Sequence, residues 1–477
     1  MGAVHDFGAL VVSVREKGKT IADITGTIIN KRVKTMFLIF VMMLSWLVLA
    51  VFAMAIAGLF VSIPTAVLPV NIEIIIALAV GYLLYQKKVD ALIPSIIALI
   101  LLYVFVYIGS FTPLSFDAIG LDKSSQSTLW IILLFIYSGI ASLLPVWLLL
   151  QPRDYINSHQ LIVGLALIFI GIAIAQPMVE APMIRSAGEG VPGLFPLLFV
   201  TIACGAISGF HGLVASGTTS KQVSNIQDTK MIGYGSMLGE GTLALASTIA
   251  AVAGISLVTN CNLPSIGAVD NLNWNIYYDT WAHAATNKAT AFVLGGGALI
   301  ESLGIPPTLA KTIMAVLVIS FAATTLDTAT RIQRFILTEV GQAVDIPLLK
   351  NRYVATIVAI IPAMAMTLWT VADPVSGEST QAGWVLWPIF GASNQMLAAL
   401  TLMMLSIYFW KKHKPVLPLI IPFIFITVTT LTSLAVKAQS FVGNNRLLLV
   451  IDGILATLIL WMLYEGWIVF RAGRSPK

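Results

Sequence analysis

Charge is scarce in this sequence. Only 10% of its 477 residues are Asp, Glu, Lys or Arg, against 58% hydrophobic, whereas a soluble domain carries about 25% charge. That balance, with a mean hydropathy of +0.92, excludes an ordinary soluble fold and points to a polytopic membrane protein. Cysteine is almost missing. Cys204 sits in an apolar run, Cys261 in a loop, and no CxxC occurs, which excludes a disulfide framework or a thiolate metal centre. Walker, HExxH and GxSxG motifs are absent. No enzyme activity, cofactor or metal is therefore expected, and any movement of solute would be driven by a gradient or an outside partner. Polar stretches are few: residues 1–35, 259–289 and 329–352 are the longest, too short for a second domain. The net charge of +5 resides in short loops, where it sets orientation and does not indicate nucleic-acid binding. No signal peptide, low-complexity tract or internal repeat is visible.

What is abundant is apolar runs. About 20 such residues span the hydrocarbon core, and twelve spans are expected near 36–62, 71–86, 91–109, 129–150, 160–177, 194–215, 232–258, 308–328, 353–372, 384–409, 415–436 and 446–470. A thirteenth apolar segment, 290–305, is short, holds Gly295, Gly296, Gly297 and Glu301, and ends in Pro306-Pro307. If it does not cross, 21 of the 27 Lys and Arg residues fall on one side. The positive-inside rule then puts both termini in the cytoplasm and leaves 290–305 non-spanning. The expected organisation is a cytoplasmic segment 1–35, a transmembrane core 36–328 and C-terminal helices 329–477.

Against this background the polar residues inside spans stand out, because ionisable and hydroxyl groups are costly in lipid unless they face protein, water or a solute. The stretch TIACGAISGFHGLVASGTT (201–219) holds Ser208, His211, Ser216, Thr218 and Thr219. These could be helix-end packing, or could line a substrate or ion site as half-helix ends do in secondary transporters. Gly205 and Gly209 form a small-xxx-small pair that admits a neighbouring helix. His211 could carry a proton near neutral pH. The 129–150 span has a polar centre, Tyr137, Ser138, Gly139 and Ser142, ahead of Pro145, which kinks or breaks the helix. Glu240 is deep in the 232–258 span, as a proton carrier or a structural hydrogen bond. Asp327 lies four residues before Arg331, so a helical salt bridge is its default, with an ion site as the alternative. Amide side chains in LWPIFGASNQMLA (386–398) read as helix glue. Asp452 stays open between these roles.

The segments LLPVWLLLQPRDY (143–155), TIACGAISGFHGLVASGTT, MIGYGSMLGE (231–240), LDTATRIQRF, LWPIFGASNQMLA and NNRLLLVIDG (444–453), in this order, resemble the carbon starvation protein A (CstA) family. The resemblance covers nearly the entire chain. It implies an all-α membrane bundle with a leucine-transporter-like inverted-repeat core of the amino acid–polyamine–cation superfamily. It also implies proton-coupled uptake of peptides, or of pyruvate for close relatives, in the inner membrane. The family's Gly- and Pro-rich first core helix is not in this sequence, so the resemblance implies a misassigned start, a split gene whose separate chain provides the helix, or a decayed copy.

The reading that follows is a proton- or sodium-coupled secondary transporter. Tyr137, Ser138, Gly139, Ser142, Ser208 and Phe210 are the candidate substrate contacts; His211, Ser216, Thr218, Thr219, Glu240 and Asp327 are the candidate ion-coupling groups. A pyruvate symporter, a non-transporting membrane subunit or sensor that needs a partner chain, and a passive channel are the alternatives.

Overall fold

The computed structural model describes residues 1–185, 193–263, 266–280, 290–372, 379–442 and 446–472. Its helices are α1 (Gly2–Arg15), α2 (Ile21–Ile28), α3 (Lys31–Ser62), α4 (Val67–Tyr85), α5 (Leu92–Phe111), α6 (Lys123–Leu143), α7 (Leu150–Ala175), α8 (Phe199–Ala206), α9 (Gly209–Gly217), α10 (Ser236–Val252), α11 (Trp274–Tyr277), α12 (Thr290–Glu301), α13 (Pro307–Ala343), α14 (Arg352–Leu368), α15 (Ala382–Lys411), α16 (Leu417–Phe441) and α17 (Arg446–Arg471). Among the described residues sheet is confined to two antiparallel hairpins, β1 (Asn260–Leu263) with β2 (Gly267–Asp270) and β3 (Thr370–Ala372) with β4 (Ser379–Gln381).

Among the described residues ten helical segments are long and apolar enough to cross a membrane. The other two expected spans are shorter: α14 has 17 residues, and 232–258 divides into a π-helical turn, Met231–Gly235, and the 17-residue α10. The bundle is inside-out relative to a soluble protein. On α5, Ile93, Ile97, Ile100, Tyr107 and Phe111 are exposed while Ser95, Ala98 and Gly109 are buried. That pattern needs lipid as the solvent.

The chain divides into two compact units. One comprises 1–49, 192–241 and 329–477; the other comprises 50–191 and 242–328. In the first unit the basic segments assigned to one membrane side come together. Lys34 pairs with Asp23, Lys412 with Glu16, Lys411 donates to the Ile28 carbonyl, and Arg32 meets Glu465. In the second unit the 63–70 and 112–130 segments also share one end. The Leu114 N–H donates to the Pro64 carbonyl, and Trp130 packs against both Phe60 and Phe116.

Pro145 ends α6 and does not merely kink it. Leu144 before it is extended (φ −67, ψ 151), as the residue preceding proline prefers, and α7 starts afresh at Leu150. The expected 129–150 span is therefore corrected to 123–143. Arg153, counted in the sequence as a loop charge, lies in the first turn of α7 and is fully buried. The short 290–305 segment forms the 12-residue α12, about 18 Å long at 1.5 Å per residue, against about 30 Å of hydrocarbon. Its glycines are packing surfaces. A Cβ on Gly295 would lie 2.0 Å from the Ala250 carbonyl oxygen, so only glycine lets α10 approach so closely.

Candidate functional site

The 201–219 stretch folds as a broken helix. α8 stops at Ala206, Ile207 and Ser208 are extended (φ −149, ψ 95 and φ −102, ψ 128), and α9 begins at Gly209. A break leaves amide donors unpaired at the new helix start. Asn394 of α15 meets them: its Oδ1 accepts from the Phe210 N–H at 2.9 Å, and its Nδ2 donates to Ser208 Oγ at 2.9 Å and to Cys204 Sγ at 3.2 Å. This is the amide glue expected from the SNQ motif, placed at the break. Gln395 adds a 2.8 Å bond from its Nε2 to the Val200 carbonyl. Gly209 explains the fit: a Cβ there would sit 2.4 Å from the Asn394 carbonyl oxygen. Gly205, expected to share that duty, has open space around it.

One residue past Phe210, His211 projects into a titratable cluster. Its Nδ1 is 2.9 Å from Asp6 Oδ2, its Nε2 is 4.0 Å from Glu240 Oε2, and the other Asp6 oxygen is 2.6 Å from His5 Nδ1. Four groups from α1, α9 and α10 thus form a chain, His5–Asp6–His211–Glu240. It runs from a fully buried imidazole, whose Nε2 has no hydrogen-bond partner among the described residues, to a part-exposed carboxylate. An imidazole with a carboxylate facing each nitrogen can receive a proton on one side and release it on the other. His211 and Glu240, proposed separately from the sequence, are brought together. Asp6 and His5 are not among the sequence candidates because residues 1–35 read as a polar cytoplasmic segment. The available signal was an adjacent His-Asp pair inside an apolar helix.

Ser216, Thr218 and Thr219 lie elsewhere, at the far end of α9. Ser216 Oγ donates to the Gly212 carbonyl at 2.8 Å and accepts from the Ile21 N–H at 3.2 Å, tying α9 to α2. Thr218 Oγ1 is buried without a hydrogen-bond partner among the described residues, and Thr219 opens a single 3-10 turn. His211 and Ser216 are about 7.5 Å apart along the axis at 1.5 Å per residue.

The second unit holds a different network. The Arg153 guanidinium lies between Glu73 (Nε to Oε1, 2.9 Å) and Asp327 (Nη1 to Oδ2, 2.9 Å). Tyr137 accepts from Arg153 Nη1 at 2.7 Å and donates to Asp327 Oδ2 at 2.7 Å, and Ser320 donates to Glu73. Tyr137 and Asp327 are therefore neighbours, and Asp327 has an ion-pair partner that i, i+4 spacing does not reveal. Glu73, a lone acid in an apolar run, was overlooked. Ser138 and Ser142 are fully buried and bond back to the Phe135 and Gly139 carbonyls of their own helix, while Gly139 lies on the same buried face.

These features define a membrane-embedded α-helical bundle with a discontinuous helix and ionisable clusters inside its spans. The family model for carbon starvation protein CstA matches residues 1–433, and the chain belongs to that family. It is 29% identical over 488 residues to the peptide transporter CstA of Campylobacter jejuni, covering 94% of this chain and 68% of that relative. It is 29% identical over 457 residues to the peptide transporter CstA of Mycobacterium tuberculosis, covering 87% and 59%. Against the pyruvate/proton symporter BtsT of Escherichia coli it is 30% identical over 504 residues, covering 92% and 69%. The chain thus spans between 59% and 69% of the length of these three relatives. A solved manganese transporter mutant of Eremococcus coleocola aligns over 98% of this chain and 95% of its own, at 15% identity and a TM-score of 0.42.

Proposed function

We propose that this chain is a secondary active transporter that imports peptides or another small carbon source, with proton coupling. The observation that carries the reading is the placement of His211 between Asp6 and Glu240, one turn beyond a helix break. Broken helices supply solute and ion sites in secondary transporters, and an imidazole between two carboxylates supplies the proton relay. In this reading His5, Asp6, His211 and Glu240 handle the proton, and the Ser208–Phe210 break is where the solute engages. Tyr137 and Asp327 belong to the Arg153 network, which holds the second unit's helices in place. A leucine-transporter-like inverted-repeat core and a plasma-membrane location with cytoplasmic termini complete the proposal. Its support is the discontinuous α8–α9 helix and the grouping of basic segments.

A second reading, a pyruvate or monocarboxylate proton symporter, is favoured by the similarity to BtsT. Uptake by purified protein in liposomes, with radiolabelled di- and tripeptides and pyruvate, tests both. Accumulation that requires an inward proton gradient supports transport, and the solute accumulated chooses between the readings. No accumulation of any of them under the gradient would refute both.

A further inference from the structure

The first unit contains a cavity of about 170 Å³ between α2, α3, α9 and α13, away from the His5–Asp6–His211–Glu240 chain. Its wall is apolar, formed by residues such as Phe37, Leu38, Val41 and Leu213. Its polar lining is mostly spent on the protein itself. Ser216 bonds the Gly212 carbonyl, Thr20 caps Asp23, and Thr338 bonds the Arg334 carbonyl. Two charged groups are left. Glu339 Oε2 is shielded from solvent and has no hydrogen-bond partner among the described residues. Lys221, whose side chain is exposed to solvent, lines the same cavity. The nearby Lys34 is committed to Asp23.

A buried acid oxygen without a partner among the described residues and an exposed base, both lining one apolar pocket, complement a ligand that carries both opposite charges beside a hydrocarbon group. We propose that this cavity binds a free α-amino acid with a branched aliphatic side chain. The ammonium lies against Glu339, the carboxylate against Lys221, and the side chain on Phe37, Leu38 and Val41. The size agrees: at about 30 Å³ per water, the space equals roughly five or six waters, enough for a solute of about ten heavy atoms or fewer. A dipeptide is too large to enter whole. The site goes beyond the proposed transport function and stands whether or not solute crosses at the helix break.

The test is calorimetric titration of the full chain, purified in detergent, with L-leucine, isopentylamine (ammonium only) and 4-methylpentanoate (carboxylate only). The expected result is that leucine binds and each truncated probe binds at least about tenfold more weakly. Glu339→Gln, an isosteric change, should weaken leucine about tenfold and change 4-methylpentanoate less than about twofold. Leu38→Trp, which fills the cavity, should abolish leucine binding. No leucine binding to the wild-type chain at millimolar concentration would overturn the proposal, as would a leucine affinity unmoved by Glu339→Gln.

Discussion

Replacing Arg153 with Met is the sharpest probe of the buried ion network. The side chain is fully buried and donates to Glu73, Tyr137 and Asp327 at 2.7 to 2.9 Å. Met has similar bulk, so a cavity is not the main cost. The cost is Glu73, which is also fully buried and would keep Ser320 alone as a hydrogen-bond donor among the contacts described. Asp327 retains Tyr137 and is the less affected acid. Leaving one partner of a buried pair uncompensated costs about 3–5 kcal/mol, and that is the expected loss in a reversible denaturant titration in mixed micelles. Adding Glu73→Gln removes the stranded charge while its amide can still bond to Ser320. The double variant should therefore recover about 1–3 kcal/mol relative to additivity. Stability of Arg153→Met within about 0.5 kcal/mol of wild type, or strict additivity of the pair, would show that the network does not bear on folding.

The paired glycines give a directional contrast: Gly209→Ala should cost about 1–3 kcal/mol through overpacking on α15, whereas Gly205→Ala should be neutral or gain up to about 1 kcal/mol in helix propensity, both read from melting in detergent. Asn394→Ala should cost about 1–2 kcal/mol, because it uncaps the Phe210 amide at the start of α9, and amide exchange there should quicken while α8 is unchanged. At the start of α6, the Ser125 hydroxyl and nearby amides hold the Asp122 carboxyl below the usual carboxylate range. The stabilisation it gives is present above the ordinary carboxylate pKa and is lost as pH falls through the lowered value; amide exchange at Ser124 and Ser125 should rise in that acid window, and Asp122→Ala should erase the step.

Most of the architecture was legible because lipid imposes length and hydropathy on each span. Ten of twelve segments appear as helices of spanning length, and charge bias grouped 1–35 with the 411–414 loop, where Lys412 meets Glu16. The misreadings came from local breaks. Pro145 ends α6, so Arg153 passes from apparent loop to helix interior. The Ile207–Ser208 break was invisible because its residues continue an apolar run, and it depends on an amide 186 residues away, Asn394. The site was half legible for the same reason. His211 and Glu240 stand out in long apolar spans, but their link is Asp6, on a helix of 14 residues too short to read as a span. Spacing gives the partners of a residue on its own helix; it does not give those on another.

Under the proposed function, the His5–Asp6–His211–Glu240 chain carries a proton as solute moves. Liposomes that hold purified protein and an internal pH dye test it most directly, on addition of the solute the uptake panel selects. Acidification of the lumen should accompany solute entry into wild-type vesicles and vanish with His211→Ala, while the variant still inserts and folds. Undiminished solute-driven acidification by His211→Ala would rule that proton role out.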